Sequence, residues 1–207
     1  MVRTTTTAAG RRADIIAATI CVLARDGITE TTTRKIAAEA DVNQATLRYY
    51  FGSKDDLLFA VLQEMMRTTR EVVQSGIPSN GELHDAIAQS IKAFWMHVEA
   101  APELQVMQYE LTLYALRHPE SAWLAKQQYD GYSTLVETLF QQNFEAAGKS
   151  CAVSFAELAR FVIAGLDGLI LQFISDHDTV RVHRDLDHLI SAVIALAEGQ
   201  PSKNHKR

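Results

Sequence analysis

The chain has 207 residues, of which 47 % are hydrophobic and 22 % are charged, and its formal net charge is −5. This composition suits one ordinary domain or two small ones with a buried core, and it excludes whole-chain disorder and a bulk polycation that coats nucleic acid or anionic membrane. Only two cysteines are present, Cys21 and Cys151, which excludes a disulfide scaffold and a multi-cysteine zinc site and favours reduced thiols.

Hydrophobic residues recur at helical spacing along almost the whole chain, and no segment alternates for long enough to form a strand. The pattern therefore predicts an all-α fold. A Thr-rich arm is predicted over residues 1–10, a basic tail over 201–207, and a loop over 76–81. The predicted helices cover about 11–26, 33–40, 44–50, 54–74, 83–100, 102–117, 120–147, 154–175 and 183–198.

The three helices predicted at the N-terminal end are separated by clear stop and start signals. Gly27 ends the first helix, and Asn43 can cap the third. Gly52 breaks the chain again, and Ser53 with Asp56 forms a capping box at the start of a fourth, longer helix. Two very short helices joined by a tight turn and resting on a longer one predict a helix-turn-helix, whose second helix, 44–50, would enter the major groove of DNA.

The charge distribution agrees with this placement. Residues 1–54 carry eight Lys/Arg against five acids, a balance of +3, whereas the remainder carries 12 against 20, a balance of −8. Only the N-terminal quarter therefore suits an anionic partner.

Gln44 and the Thr46 methyl can read base edges, Arg34 can pair with guanine, and Arg48 can reach phosphates. The alternative for Arg48 is a solvated surface charge.

Tyr49 and Tyr50 can also reach phosphates, and Lys54 with the capped start of the fourth helix offers a positive end for a phosphate. Tyr50 and Phe51 could instead be core aromatics.

The stretch TTTRKIAAEADVNQATLRYYFGSKDDL, residues 31–57, resembles the DNA-binding signature of the tetracycline-repressor (TetR) family, which runs roughly T-x-x-x-I-A-x-x-A-G-V-S-x-x-T-L-Y-x-H-F-x-x-K-x-x-L. The specific match covers about residues 11–60. It departs from the pattern at Asp41, which replaces the turn glycine, and at Arg48 and Tyr50. Aspartate enters left-handed geometry with some ease, so the turn survives.

The resemblance implies a bacterial or archaeal one-component regulator. Its N-terminal three-helix DNA-binding domain would cover residues 1–54, and a helical effector-binding and dimerisation domain would cover 55–200. The expected partners are a double-stranded DNA operator, a small-molecule effector and a second copy of the chain. By the same resemblance, the positions near bases or the adjoining backbone are Thr33, Arg34, Gln44, Ala45, Thr46 and Tyr49, and those contacting the backbone are Arg48, Tyr50 and Lys54.

The last two predicted helices are apolar on more than one face, so they need cover on two sides. We predict a dimer interface there, although a central helix buried in a monomer is the alternative. The predicted interface residues are Phe161, Gly165, Gly168, Leu171, Leu189 and Val193.

The helices between contain aromatic residues, methionines and a few acids, which suits an apolar ligand pocket. Core packing explains the same composition. Asp167 and Glu110 interrupt apolar stretches, and a buried acid needs a partner. The predicted effector-lining residues are Trp95, Met107, Tyr109, Glu110, Tyr114 and Asp167.

Catalysis, cofactors and metals receive little support, because the sequence has no H-E-x-x-H, no phosphate-binding glycine loop and no serine elbow. Asp176, His177, Asp178 and His183 could hold a metal, but we interpret them as a polar loop. Cys21 is expected to be a buried, inert thiol.

No apolar run approaches the length of a membrane span, and residues 11–26 lack a signal-peptide cleavage site, so we expect a cytoplasmic protein without a membrane partner. A ligand-responsive repressor is the leading hypothesis. A helical-bundle enzyme or carrier is the second, and a TetR-like protein that acts through a protein partner is the third.

Overall fold

The computed structural model describes residues 7–76 and 82–199, in which every regular element is helical. Most of the predicted arm, most of the predicted loop and the basic tail lie outside these residues. The helices are α1 (Ala8–Glu30), α2 (Thr33–Glu39), α3 (Gln44–Phe51), α4 (Lys54–Ser75), α5 (Leu83–Ala100), α6 (Pro102–Arg117), α7 (Ala122–Ala146), α8 (Phe155–Asp176) and α9 (Thr179–Glu198), with a 3-10 turn (Pro119–Ser121) before α7.

The chain folds into two compact units. Among the described residues, the N-terminal unit contains 7–67 and 103–128, and the other unit contains 68–76, 82–102 and 129–199. The first turns of α4, nearly all of α6 and the start of α7 therefore pack with the helix-turn-helix. Their apolar residues join one core with it, including Leu57, Leu58, Met107 and Leu111.

Helix α1 begins three residues earlier than predicted, at Ala8, and it is interrupted at Gly27, where the sequence predicted the first helix to end. Thr7 caps its start by accepting a hydrogen bond from the Gly10 amide at 3.2 Å. At its far end Gly27 has φ 74° and ψ 165°, which kinks the helix before the last residues. Its buried stripe includes Ile15, Thr19 and Val22. Cys21 lies off that stripe and is exposed, so the expectation of a buried thiol was wrong.

In the second unit α5 packs on α9, and α8 packs on α9. Lys92 pairs with Asp187 at 2.9 Å between α5 and α9. Helix α9 begins four residues earlier than predicted because Asp178 caps it, accepting from the Arg181 amide at 2.9 Å.

Helix α8 is the most apolar helix among the described residues. Over an 18-residue window its mean hydropathy is 1.6, so by length and composition it is the one described helix that could cross a membrane. This departs from the expectation that no apolar run approaches that length. A core helix of a globular unit has the same composition, so a single such helix is weak evidence for a membrane span.

Candidate nucleic-acid interface and effector region

Helix α3 separates its apolar residues from its polar ones. Leu47 and Phe51 are buried in the core of the N-terminal unit, and Tyr50 packs against that core while remaining half-exposed. The Tyr49 ring, by contrast, is 83 % exposed. On the outer side of the helix the exposed residues are Gln44, Ala45, Arg48 and Tyr49, with Thr46 half-exposed beside them.

The start of α3 is fixed by its cap. Asn43 Oδ1 accepts hydrogen bonds from the Thr46 amide at 2.8 Å and from the Thr46 hydroxyl at 3.0 Å. The hydroxyl hydrogen is therefore committed to the cap, which leaves the Thr46 methyl and the oxygen lone pairs for an outside contact.

The turn before α3 has the geometry expected for Asp41, whose φ is 49°. The Asp41 amide donates to Ala38 O at 3.3 Å, and the Val42 amide donates to Ala37 O at 2.9 Å. This pair of bonds is a Schellman helix ending, in which the left-handed position is normally a glycine.

Two arginines at this surface stand apart from the local ion pairs. Arg34 and Arg48 are exposed and form no ion pair within residues 7–76 and 82–199. Nearby, Arg25 pairs with Asp26 at 2.9 Å and with Glu39 at 3.0 Å, and Lys35 pairs with Asp26 at 3.0 Å. Arg34 and Arg48 therefore place unpaired positive charge at the start of α2 and on the outer face of α3.

An open groove of about 530 Å³ lies beside α3. Its lining includes Arg11 from the first turns of α1, a residue that the sequence analysis did not select. The other lining residues belong to the α2–α3 turn and the start of α3: Asp41, Val42, Asn43 and Thr46. The pair Arg11-Arg12 adds positive charge near the N-terminus, but nothing in the sequence predicts that Arg11 lies against the α2–α3 turn.

Lys54 is engaged inside the N-terminal unit. Its Nζ lies 3.5 Å from Thr31 O and 5.4 Å from the centre of the Tyr114 ring. The predicted capping box is present: Ser53 Oγ accepts from the Asp56 amide at 3.0 Å, and the Ser53 amide donates to Asp56 Oδ2 at 3.2 Å. The Asp56 carboxylate therefore already occupies part of the positive helix start.

Glu110 contacts the end of α1. Its Oε2 accepts a hydrogen bond from the Ile28 amide at 3.0 Å, immediately after the kink at Gly27. A Cβ at Gly27 would lie 3.1 Å from the same oxygen. The acid that interrupts the apolar pattern of α6 thus has a partner within the protein.

The six predicted effector-lining residues are divided between the two units. Met107, Tyr109, Glu110 and Tyr114 belong to the N-terminal unit, and Trp95 and Asp167 to the other. Met107 is a core residue of the N-terminal unit.

Two tyrosines of α7 and one acid of α8 interact in the second unit. The Tyr129 hydroxyl donates to Asp167 Oδ2 at 3.0 Å. Burial, followed by the negative charge of Asp167, raises the pKa of Tyr129 to about 12, and the same causes raise the pKa of Tyr132 well above its usual range. The predicted effector-lining set includes neither Tyr129 nor Tyr132, which lie one helical turn apart on α7.

Trp95 is 1 % exposed and packs edge-on against Phe173, with ring centres 5.7 Å apart. Its Nε1–H has no hydrogen-bond partner among the described residues. A buried donor of this kind costs free energy, and an acceptor on a bound molecule would satisfy it.

The predicted interface residues of α8 and α9 differ in their surroundings. Phe161 and Leu171 are large apolar side chains on the surface of the chain, 41 % and 54 % exposed. A Cβ at Gly165 would lie 2.5 Å from Leu189 Cδ1, whereas one at Gly168 would meet nothing within 4 Å. Val193 is fully buried in the chain's own core, so its side chain is not on that surface.

The polar α8–α9 connection is a structural turn. Arg181 pairs with Asp176 at 2.8 Å, and His177 ends α8 in left-handed geometry. The described residues contain no group of three or more His, Cys, Asp or Glu side chains placed to hold a metal ion.

A helix-turn-helix with an exposed polar recognition helix, joined to a larger helical region, defines a DNA-binding regulator. Residues 15–61 match the family described as bacterial regulatory proteins, tetR family, and residues 78–196 match the tetracyclin repressor-like C-terminal domain. The chain belongs to the TetR family of transcriptional regulators. Such regulators bind DNA and small-molecule effectors, typically as dimers.

Individual relatives agree with this assignment. The chain is 27 % identical over 186 residues to the HTH-type nicotine-responsive transcriptional repressor HdnoR of Paenarthrobacter nicotinovorans, covering 89 % of this chain and 94 % of that one. The fold is similar to that of the multidrug binding protein EbrR complexed with imidazole, at 25 % identity and a TM-score of 0.63, over 95 % and 98 % of the two chains. Salmonella enterica GusR is similar at 19 % identity and a TM-score of 0.74, over 94 % and 98 %. The family and HdnoR are transcriptional regulators, so the enzyme or carrier alternative is not supported.

Proposed function

We propose that the chain is a cytoplasmic repressor that binds a palindromic operator as a homodimer and is released by a small, largely apolar effector. The observation that carries the DNA-binding proposal is the outer face of α3, with its exposed polar residues and the unpaired charges of Arg34 and Arg48. An α-helix fits the major groove, and two-fold symmetry would place two such helices about 34–36 Å apart or a multiple of that distance.

Residue roles in this proposal follow from exposure and chemistry. Arg34 and Gln44 can form paired hydrogen bonds with base edges, and the Thr46 methyl can contact thymine. Residues Thr33, Ala45 and Tyr49 lie beside them. Phosphates would be contacted by Arg48, by Tyr50 and by Arg11, whose place in the groove beside α3 adds it to the set. Lys54 can join them only by leaving Thr31 and Tyr114.

The homodimer would pack through the surface of α8. Phe161 and Leu171 supply exposed apolar area there, and Gly168 leaves room for a close approach. We expect Gly168→Leu to shift the chain towards monomer in analytical ultracentrifugation, because the new side chain meets open space within one chain but would meet the partner in a dimer. An unchanged dissociation constant would refute this interface.

The effector proposal is supported by the second unit. The buried Nε1–H of Trp95 lacks an acceptor among the described residues, and the acid Asp167 lies midway along an apolar helix. HdnoR, named for its response to nicotine, is similar along nearly its whole length, which supports a small organic effector for this chain too.

The decisive experiment selects bound duplexes from fragments of the source genome and then measures affinity for the selected site and for an unrelated duplex. We expect Arg34→Ala or Gln44→Ala to reduce discrimination between the two by about 1–3 kcal/mol per lost base contact. Arg48→Ala should weaken both duplexes similarly and lower the salt dependence by about one ion.

Lys149→Ala is the matched control, because Lys149 is an exposed cation of the second unit and its loss changes net charge equally. Wild-type affinity in both Arg34→Ala and Arg48→Ala would refute the placement of α3. If no fragment is selected, but a protein partner is captured and depends on the same residues, the partner-mediated alternative is favoured instead.

A further inference from the structure

Helix α8 carries one carboxylate where its composition least favours a charge. The helix has acids at both ends, Glu157 and Asp176, but Asp167 lies midway along the stretch of high mean hydropathy. Asp167 is half-buried at that position, so the partial removal of its carboxylate from water costs free energy relative to an apolar residue of similar size. Recognition of a charged ligand would offset this cost.

The neighbours of Asp167 on α7 are aromatic. Tyr129 donates its hydroxyl hydrogen to Asp167 Oδ2 at 3.0 Å, and the next turn of α7 places Tyr132 within the electrostatic reach of the same carboxylate. Burial and the charge of Asp167 raise the pKa of both tyrosines, so both phenols are neutral at physiological pH. A hydroxyl donor leaves the carboxylate charge in place, so these three side chains together carry one negative charge.

A carboxylate beside two electron-rich rings recognises a particular class of ligand. An organic cation gains Coulomb attraction from the carboxylate and further attraction from the faces of tyrosine rings. A neutral molecule of the same shape gains neither, and an anion is repelled.

We propose that Asp167, Tyr129 and Tyr132 form the anchoring site for a small organic monocation, a protonated or quaternary amine, and that this is the effector class of the protein. The inference rests on the proposed function, since it names the chemistry of the molecule that would release the DNA.

The test compares probes that differ only in charge. Isothermal titration of the full chain with 2-phenylethylamine, which is protonated at neutral pH, is set against titration with 2-phenylethanol, its neutral counterpart. The N,N,N-trimethyl derivative of the amine separates charge from hydrogen bonding. We expect both cations to bind about tenfold more tightly than the alcohol, a difference of about 1.4 kcal/mol.

Variants of Asp167 and Tyr132 test whether the difference in affinity between the cations and the alcohol arises at the proposed site. Asp167→Asn keeps the size of the side chain and removes the charge, and it should weaken both cations about tenfold while leaving the alcohol within about twofold. Glu157→Gln is the matched control, because it removes an exposed charge from the same helix. Tyr132→Leu retains the carboxylate and removes one ring, so it should weaken the trimethylated probe severalfold.

Equal binding of the cations and the alcohol by the wild-type chain would overturn the proposal, and this comparison requires no variant to fold. Undiminished cation affinity in Asp167→Asn would also overturn it, as would a changed monomer–dimer equilibrium without any change in cation affinity. None of these titrations contains DNA. Failure to select an operator is therefore a separate outcome, which refutes the proposed function and not the cation site.

Discussion

The hydrogen bond between Glu110 and the end of α1 gives a direct test of how α6 supports the DNA-binding helices. In Glu110→Ala the Ile28 amide loses an acceptor that lies 3.0 Å away. A hydrogen bond to a charged group contributes about 1.5–3 kcal/mol, and the half-buried position of Glu110 favours the lower end of that range. A loss of about 1.4 kcal/mol raises a local opening equilibrium about tenfold.

Amide hydrogen exchange measures this opening at the residue concerned. We expect the Ile28 amide to exchange about tenfold faster in Glu110→Ala. Glu110→Gln retains an oxygen acceptor without the charge, so exchange should accelerate only severalfold. The amide of Val182 in the second unit should not change in either variant.

Glu120→Ala is the matched control, because Glu120 is an exposed acid of the same unit. Exchange at Ile28 that is the same in Glu110→Ala as in the wild type, or that accelerates equally in Glu120→Ala, would refute the reasoning.

A second perturbation acts from the other side of the contact. Gly27→Ala puts a Cβ 3.1 Å from Glu110 Oε2, at a φ of 74° and ψ of 165° that only glycine adopts readily.

Three further predictions concern single elements. Asp41→Gly should raise the urea midpoint and stabilise the chain by up to about 1 kcal/mol, because glycine adopts the left-handed φ of 49° without a steric penalty. A lowered midpoint would show that the Asp41 side chain itself stabilises the turn. Gly165→Ala should be less stable to heat than Gly168→Ala, because both variants gain helix propensity but only the Cβ at 165 would lie 2.5 Å from Leu189 Cδ1 and displace that side chain; equal stability of the two variants would contradict the α8–α9 packing. Hydrogen bonds from the Asp178 amide and then from Arg181 lower the pKa of Asp176. The ionised carboxylate should therefore contribute its full stability above about pH 4, and this contribution should be lost as the pH falls further. An NMR titration that finds an unshifted pKa for Asp176 would contradict this.

Local signals predicted the helix boundaries of the N-terminal unit well. The caps at Asn43 and Ser53 involve residues three apart in sequence, and both form as expected. Asp41 adopts the left-handed turn for the same reason, because the requirement is set by its own backbone. Where a boundary was missed, as at the start of α1, the extension is a single turn fixed by the Thr7 cap.

Two predicted site residues have contacts within the protein that the sequence did not predict, because these contacts join distant parts of the chain. The sequence identifies Glu110 as an unusual acid, but it cannot say that the partner is an amide 82 residues away. Lys54 matches a phosphate-contacting position, yet Tyr114, on a helix far along the chain, draws its Nζ inward. Composition alone does not distinguish an acid that anchors a ligand from one that caps a helix.

Helix α6 packs in the same compact unit as the helix-turn-helix, and this has a consequence for how an effector could change DNA affinity. Glu110 and Tyr114 lie one turn apart on α6, and they contact the end of α1 and Lys54, respectively. Any effector that changes DNA affinity must bind two arrangements of the protein with different affinity. Because α6 holds both contacts, an arrangement in which it shifts must break or rebuild them. Glu110→Ala should therefore alter operator affinity in the absence of effector, even though Glu110 lies off the face of α3 that would meet DNA. Unchanged operator affinity together with faster exchange at Ile28 would show that this contact stabilises the fold without taking part in the response.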